Sequence, residues 1–363
     1  MTGVPAPAAT SRFRAGVVLL TALLTACDPA SPVAPIPSPV EVVTPPTPTP
    51  VPTVPLVWMA ATASPSTLYE GQGAAVEGRL YVFGGFFENR NRQPMATRAV
   101  RVYDPANDQW TTLRDAPDAV THAGVAVDGT NIYVAGGFLG DHPGPQTDHV
   151  WRYDTRTDTW TALPPLPSGR GAGVLVRLGR DLHYFGGTER NEDGIDRWDN
   201  SDHWKLSLDT PIGWHALAPL PNARNHLGAA VLDGQIYAIG GQHLANEAHG
   251  NLTDVDRYDP ATNTWLPVAP LPLPLGHLTS STVVWDARIV VIGGVTQATR
   301  TGAREGQESD VVLAYDPVQD QWSPLTPLPG PRQSPIADTI DGMLVVTTGS
   351  TEVGPVDTTV IGH

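Results

Sequence analysis

Short apolar runs return along the chain at near-even spacing, and each ends on glycine. They are Leu80-Tyr-Val-Phe83, Ile132-Tyr-Val-Ala135, Leu182-His-Tyr-Phe185, Ile236-Tyr-Ala-Ile239, Ile289-Val-Val-Ile292 and Leu344-Val-Val-Thr347. Gly84-Gly85, Gly136-Gly137, Gly186-Gly187, Gly240-Gly241 and Gly293-Gly294 follow the first five, and Thr348-Gly349 follows the sixth. The intervals are 52, 50, 54, 53 and 55 residues. Runs this short, bounded by turn signals such as Asp233-Gly234, predict buried strands joined by hairpins. A second marker keeps the same beat: Trp58, Trp110, Trp160, Trp214, Trp265 and Trp322. Four of these stand seven residues after Tyr103, Tyr153, Tyr258 and Tyr315, across turns such as Asp104-Pro105. Asp then Pro suits the opening of a type I turn. The third copy departs, with Leu208 in place of Tyr and six residues to Trp214.

Each unit therefore predicts four short strands: one before the Asp-Gly turn, one ending in Gly-Gly, one ending in Tyr-Asp, and one carrying Trp. A fixed period near 50 marks a repeat architecture. Over residues 57–363 the Gly-Gly, Tyr-Asp and Trp pattern resembles the kelch repeat. That resemblance implies an all-β, six-bladed kelch β-propeller with four-stranded blades. A blade cannot bury both faces alone, so neighbours in a ring must cover them. The aromatics read as inter-blade core. Trp58, in Leu56-Val-Trp-Met-Ala60, imitates a fourth strand, while only one further strand, around Thr358–Ile361, follows Thr348-Gly349. The N-terminal strand is thus expected to complete the last blade and remove an exposed edge.

Upstream, Arg12 and Arg14 precede the apolar stretch 15–26, which ends Leu24-Thr-Ala-Cys27. This is a positive region followed by a core of signal-peptide length, and its end resembles a bacterial lipobox. The resemblance implies a signal peptide over 1–26 and lipidation of Cys27. It also implies a cell-envelope, extracytoplasmic location held to the membrane by the lipid anchor only. Asp28 behind the Cys implies inner-membrane retention by the same resemblance. Residues 27–56 form a Pro-rich linker, with 11 prolines between Asp28 and Leu56. Such a segment favours polyproline II and, at about 3.1 Å per residue, reaches on the order of 90 Å.

Composition narrows the chemistry. Pro and Gly are 37 and 36 of 363 residues, charged residues are 16%, and Lys205 is the only lysine. The formal net charge is −15, and residues 1–26 carry two Arg and no acid. A balance this acidic excludes a basic nucleic-acid footprint. One cysteine excludes an internal disulfide and a Cys-rich metal site. There is no Gly-x-Ser-x-Gly elbow and no phosphate-cradling loop. Copper oxidases resembling galactose oxidase share the repeat, but their Cys-Tyr cofactor has no counterpart because Cys27 lies outside the domain. No cofactor and no metal are expected. Glu189–Gly194 only echoes a calcium loop, and Trp198 and Trp204 break the repeat beat beside it.

In kelch propellers the loops between the second and third strands, and between blades, gather on one face, where ligands usually bind. Counting back sixteen residues from each first glycine of the pair gives Leu68, Val120, Arg170, Arg224, His277 and Arg332; fourteen back gives Glu70, His122, Ala172, His226, Thr279 and Ser334. Residues two apart on a strand share a face. Both sets are thus expected at the mouth of the central channel, with Tyr69 and Glu70 facing His122 and His226. The Arg arc reads either as a cationic site for an anionic group or as scaffolding between loops.

Two functions follow. One is a binding module presenting its loop face to an anionic glycan, peptide or protein. The other is an enzyme that resembles the N-acetylneuraminate mutarotases, extracytoplasmic six-bladed kelch proteins. Anomer exchange needs a general acid and base, and Glu70 with His122 or His226 offers both.

Overall fold

The computed structural model describes residues 55–88, 91–142, 144–190, 196–243, 250–296 and 307–363. The signal peptide, Cys27 and the proline stalk up to residue 54 fall outside them, as do Asn191–Ile195 of the calcium-loop echo. The described residues form strands, turns and bends with no helix.

Six four-stranded antiparallel sheets follow in order. Blade 1 is Gln72–Val76, Arg79–Phe83, Val100–Asp104 and Gln109–Thr112. Blade 2 is Gly124–Asp128, Asn131–Ala135, Val150–Asp154 and Thr159–Ala162. Blade 3 is Val174–Leu178, Asp181–Phe185, His203–Ser207 and His215–Ala216. Blade 4 is Gly228–Leu232, Gln235–Ile239, Val255–Asp259 and Thr264–Pro267. Blade 5 is Thr282–Trp285, Arg288–Ile292, Val312–Asp316 and Gln321–Pro324. Blade 6 takes Ile336–Ile340, Met343–Thr347 and Thr359–Gly362, and Trp58–Ala61 completes it. The pairing runs from Trp58 opposite Gly362 to Ala61 opposite Thr359. The first strands touch in sequence around the axis, and blade 6 meets blade 1. The expected six-bladed ring and its closure by the N-terminal strand are both present.

The core is divided among the seams. Tyr81 and Phe83 of blade 1 pack with Ile132 and Tyr153 of blade 2. Tyr237 and Ile239 of blade 4 pack with Ile289 and Tyr315 of blade 5. Blades 2 and 3, 3 and 4, 5 and 6, and 6 and 1 share clusters of the same kind. Burial between blades rather than within one sheet is what a repeat of this size requires.

A polar clasp repeats at the outer end of the seams. The Tyr hydroxyl donates to an acceptor five residues on: Tyr103 to Asp108, Tyr153 to Asp158, Tyr315 to Asp320 (2.7 Å each) and Tyr258 to Asn263 (2.8 Å). The same acceptor takes a backbone N–H from the preceding blade: Thr62 at 2.7 Å, Arg114 at 3.2 Å, Ala218 at 2.9 Å and Ala269 at 2.8 Å. At three seams the Trp Nε1 then donates to the carbonyl of that same backbone residue: Trp110 to Thr62, Trp265 to Ala218 and Trp322 to Ala269. Tyr, Asp and Trp therefore hold the backbone of one residue of the neighbouring blade at both its N–H and its carbonyl.

The double glycines serve a close approach between blades. Gly84 has φ +56°, and a Cβ there would meet the Val120 carbonyl oxygen of the next blade at 2.1 Å. The neighbour's backbone fills that space at Gly84. Blade 3 brings a correction. Leu182 pairs with Leu206 as Ile132 pairs with Tyr153, so Leu206, not Leu208, replaces the tyrosine. The turn after Ser207 is longer, which shifts an ungapped count. Trp204 is core, stacked on Tyr184 at 6.2 Å, whereas Trp198 is exposed.

The blade 3–4 seam also buries an imidazole pair. His203 Nδ1 lies 3.2 Å from the Ala218 carbonyl oxygen, and His203 Nε2 lies 2.9 Å from His183 Nδ1. Donation from His203 Nδ1–H to Ala218 leaves Nε2 to accept from His183. Burial pushes His183 down to about 4 and His203 down to about 3.

Two outcomes are expected. Asp320→Ala should lower stability by about 1–3 kcal/mol, because the Tyr315 hydroxyl and Ala269 N–H lose their acceptor. Asp320→Asn should stay near wild type in denaturant melts at neutral pH, as Asn263 does the same work in blade 4. Equal loss in both variants would show that charge, not acceptance, matters. The imidazole pair sets a pH dependence. The unfolded chain binds protons near pH 6.5, the folded chain does not until about 4, so stability falls as pH falls through that window. The slope is up to about 1.4 kcal/mol per pH unit for each group. The fall in Tm from pH 7 to 4.5 should be shallower in His183→Leu/His203→Leu; parallel curves would contradict this.

Candidate functional site

The channel mouth is built by the residues that enter each blade. Glu70, His122, Ala172, His226, His277 and Ser334 all take left-handed backbone, with φ between 46° and 59°. Backbone bonds step from blade to blade beneath them: His122 N–H to Glu70 O, Ala172 N–H to His122 O, His226 N–H to Ala172 O, and Leu278 N–H to His226 O. Ala172 and Ser334 share the conformation, so it belongs to the repeat. Each non-glycine residue there carries roughly 1–2 kcal/mol of backbone strain. The choice of Glu and three His at four of the six positions belongs to this chain.

His277 requires a correction. The carbonyls that accept from the second glycine of each pair are those of Val120, Arg170, Arg224, Leu275, Arg332 and Leu68. Leu275 thus holds the place given above to His277, and His277 holds the place given to Thr279. A turn at Leu278–Ser281, closed by the Ser281 N–H bond to Leu278 O, adds two residues before the first strand of blade 5. An ungapped count therefore slips by two.

The four side chains converge. Glu70 Oε1 lies 2.7 Å from His277 Nδ1 and accepts from Ser334 Oγ at 2.7 Å and Gln333 Nε2 at 3.2 Å. Glu70 Oε2 lies 3.4 Å from His122 Nε2. The His122 and His226 rings meet edge to face at 5.0 Å, and His226 lies 4.2 Å from His277. The outward nitrogens are anchored: His122 Nδ1 to Thr121 Oγ1 at 2.8 Å, and His226 Nδ1 to Asn225 Oδ1 at 2.5 Å. All four residues are buried. Burial works to raise the Glu70 carboxyl, but the surrounding histidines overcome it and hold it well below the usual range. Burial pushes His122 down to about 4, against the opposing pull of Glu70, and holds His226 well below its ordinary value.

Around this floor rises a second tier. Tyr69 bridges to Phe86, with its ring 5.5 Å away, and burial followed by Glu70 pushes its hydroxyl up to about 12. Phe86 and Phe138 pack edge-on against His122. Two-stranded hairpins, Phe86–Glu88 with Pro94–Ala96, Thr188–Arg190 with Asp196–Asp199, and Ser350–Thr351 with Gly354–Pro355, extend from the same end of blades 1, 3 and 6. Beyond the floor, a channel cavity of about 350 Å³ is lined by first strands, among them Gln72, Val125, Val174, Ala229 and Asp338. Burial raises the Asp338 carboxyl, which accepts from the Ala75 and Thr339 amides.

The arginines do different work. Arg170 is held by Glu189 and Asp202 and lies 5.0 Å over Trp204. Arg224 is fully buried; it pairs with Asp256 at 2.9 Å and donates to the Ala238 and Asn222 carbonyls. Arg332 occupies the equivalent place but donates to the Thr348 and Thr358 carbonyls and to Thr358 Oγ1. Among the described residues no carboxylate pairs with it, and it lines a cavity of about 690 Å³ with Ala60, Pro331 and Val360. Each arginine is thus tied into its own blade, and the three make no shared arc across the mouth. Sequence reasoning missed Thr121, Asn225 and Gln333, which sit between the two counted sets, and Gln242, which follows Gly240-Gly241; all four touch the floor residues.

The family comparison follows the same anatomy. A family model described as the Kelch motif matches residues 73–117, 119–167, 223–272 and 279–329. These are blades 1, 2, 4 and 5. Blade 3 has lost its tyrosine, and blade 6 is split between distant segments. Kelch-like protein terF of Aspergillus terreus is 33% identical over 67% of this chain and 54% of its own length. A kelch repeat-containing protein of Arabidopsis thaliana is 24% identical over 84% of this chain and 74% of its own. Human Kelch-like protein 23 is 27% identical over 74% of this chain and 43% of its own. The chain therefore spans about half the length of the fungal and human relatives. The solved structure of YjhT superposes with a TM-score of 0.63 at 17% identity, covering 83% of this chain and 96% of that one.

Removing the Arg224 guanidinium tests its scaffolding role. Arg224→Ala leaves Asp256 buried without its partner, a change that costs about 3–5 kcal/mol. A lowered, still cooperative melt is expected. An unchanged melt would return Arg224 to the list of ligand-binding candidates.

Proposed function

This chain belongs to the kelch-repeat family, and we propose that it is a binding module held on the outer side of a bacterial membrane. Kelch propellers generally serve as protein-interaction modules. The observation that carries the reading here is the crown of hairpins around a rigid polar floor. A rigid scaffold presenting variable loops is the common arrangement for recognition. Exposed Trp198 on the blade 3 hairpin suits a central contact, since Trp is enriched among residues that dominate binding energy. We assign the partner as a protein or peptide. Arg332, with no carboxylate partner among the described residues, is where an anionic group of that partner would be met. The Arg-led apolar stretch ending in Cys27 and the proline stalk support tethering. A stalk of that composition keeps a propeller clear of the bilayer.

A second reading rests on one observation: Glu70 lies against His122 and His277 in a buried cluster. A carboxylate in contact with imidazoles is a usable acid–base set, as anomer exchange of a sugar requires. None of the relatives above carries such an activity in its name.

Three measurements separate these readings. Cys27→Ser should move the protein from the membrane fraction to the soluble fraction; unchanged membrane association removes the lipid tether. A photo-crosslinking residue at Trp198 should give a discrete adduct in intact cells, while one at Gly129, in a turn at the opposite end of blade 2, should not. Equal labelling at both sites, or at neither, would defeat the loop-face reading. NMR exchange spectroscopy with N-acetylneuraminate should show no acceleration. Acceleration abolished by Glu70→Gln would make the second reading correct.

A further inference from the structure

The floor of the mouth has a property that the binding reading does not use. Glu70, His226 and His277 come from three separate blades, and their ligand atoms lie within 4.8 Å of one another. No spacing along the sequence announces this set. It exists only because the ring brings residues 70, 226 and 277 to one point.

We propose that Glu70, His226 and His277 form a binding site for one divalent transition-metal ion of the zinc type. Two imidazoles and a carboxylate suit zinc and its first-row neighbours, whereas calcium and magnesium take all-oxygen sets. A tetrahedral ion bound at about 2.0–2.1 Å spaces its ligands by about 3.3 Å. The set therefore needs to contract by no more than about 1.5 Å, a movement within the reach of side-chain torsions.

The surroundings are arranged as metal sites require. His226 Nδ1 is taken by Asn225 Oδ1 at 2.5 Å, which leaves Nε2 as the ligand atom. Asn225 is itself held by Asp199 of the blade 3 hairpin, and Gln242 Nε2 lies 3.3 Å from His226 Nδ1. Ligating histidines are commonly fixed through their other nitrogen in this way. His122 does the same for the carboxylate. Its Nε2 lies 3.4 Å from Glu70 Oε2, while Oε1 faces His277 at 2.7 Å. Glu70 is the one carboxylate among the three ligands, and a carboxylate suits a dication better than an anion.

The site is independent of what the loop face recognises, and its test needs no ligand. The purified full-length chain is stripped with chelator and titrated with cobalt(II), followed by its visible d–d bands, and then with zinc in competition. One saturable equivalent per chain is expected, with zinc displacing cobalt and raising Tm. Asn225→Ala touches no ligand atom and should weaken binding by about 10- to 100-fold. Glu70→Gln/His226→Gln should lose the cobalt spectrum while keeping a cooperative melt in chelator. Absence of a saturable spectrum in the wild-type chain overturns the proposal. So does wild-type affinity in the double variant. If the double variant does not fold, wild-type affinity in Asn225→Ala also overturns it.

Discussion

The structure depends on each blade having a neighbour on both sides. Its apolar area lies at the seams, so no blade is a domain in its own right. The Tyr–Asp–Trp clasp supplies the direction that hydrophobic burial lacks. One residue of the preceding blade is fixed at its N–H by Asp320 or its equivalents and at its carbonyl by the Trp indole. Apolar contact alone would let blades slide; two hydrogen bonds to one residue's backbone set their register. Asn263 shows that acceptance rather than charge is the essential property.

The same rigidity explains the mouth. Six left-handed residues are tolerated there because the backbone bonds between blades and the glycine pairs over-determine their position. Side chains at those positions sit in a fixed ring, converging from blades distant in sequence. Glu70, His122, His226 and His277 therefore meet on a fixed backbone with only their side-chain torsions left to adjust, and their burial follows from the hairpin tier above them. The arginines two residues earlier are each absorbed by their own blade. Three arginines in equivalent positions have three different solutions: two carboxylates, one carboxylate with carbonyls, and a threonine with carbonyls.

Much of this was legible in the chain. The Gly-Gly and Trp beats specify blade number, strand order and closure because each marker has a local physical cause: a close approach, an inter-blade contact. The mouth was only half legible. Glu70, His122, His226 and Ser334 fall at the same distance from their glycines because their blades have turns of equal length. His277 was misplaced because two extra residues at Leu278–Ser281 are accommodated in a turn that leaves no mark on the Gly-Gly spacing. Leu206 was missed for the same reason. The role of the arginines was not legible at all, because their partners, Asp202 and Asp256, lie in third strands or the loops that lead into them, more than thirty residues away. Ion pairing across that distance is a property of the folded blade rather than of the local sequence.

One consequence of the closure concerns time. Blade 6 borrows Trp58–Ala61 from the start of the propeller and pairs it with Thr359–Gly362 at its finish. The first strand made must wait, unpaired, until the last one emerges. Five blades can stack as they appear, but both the opening face of blade 1 and the trailing face of blade 5 stay bare until blade 6 is assembled. Folding of such a chain is governed by its longest-range contact, which is the slowest kind to form. A chain cut off within the final strands is left a nearly finished ring with two bare apolar faces, so closure is the one late step on which the whole assembly waits.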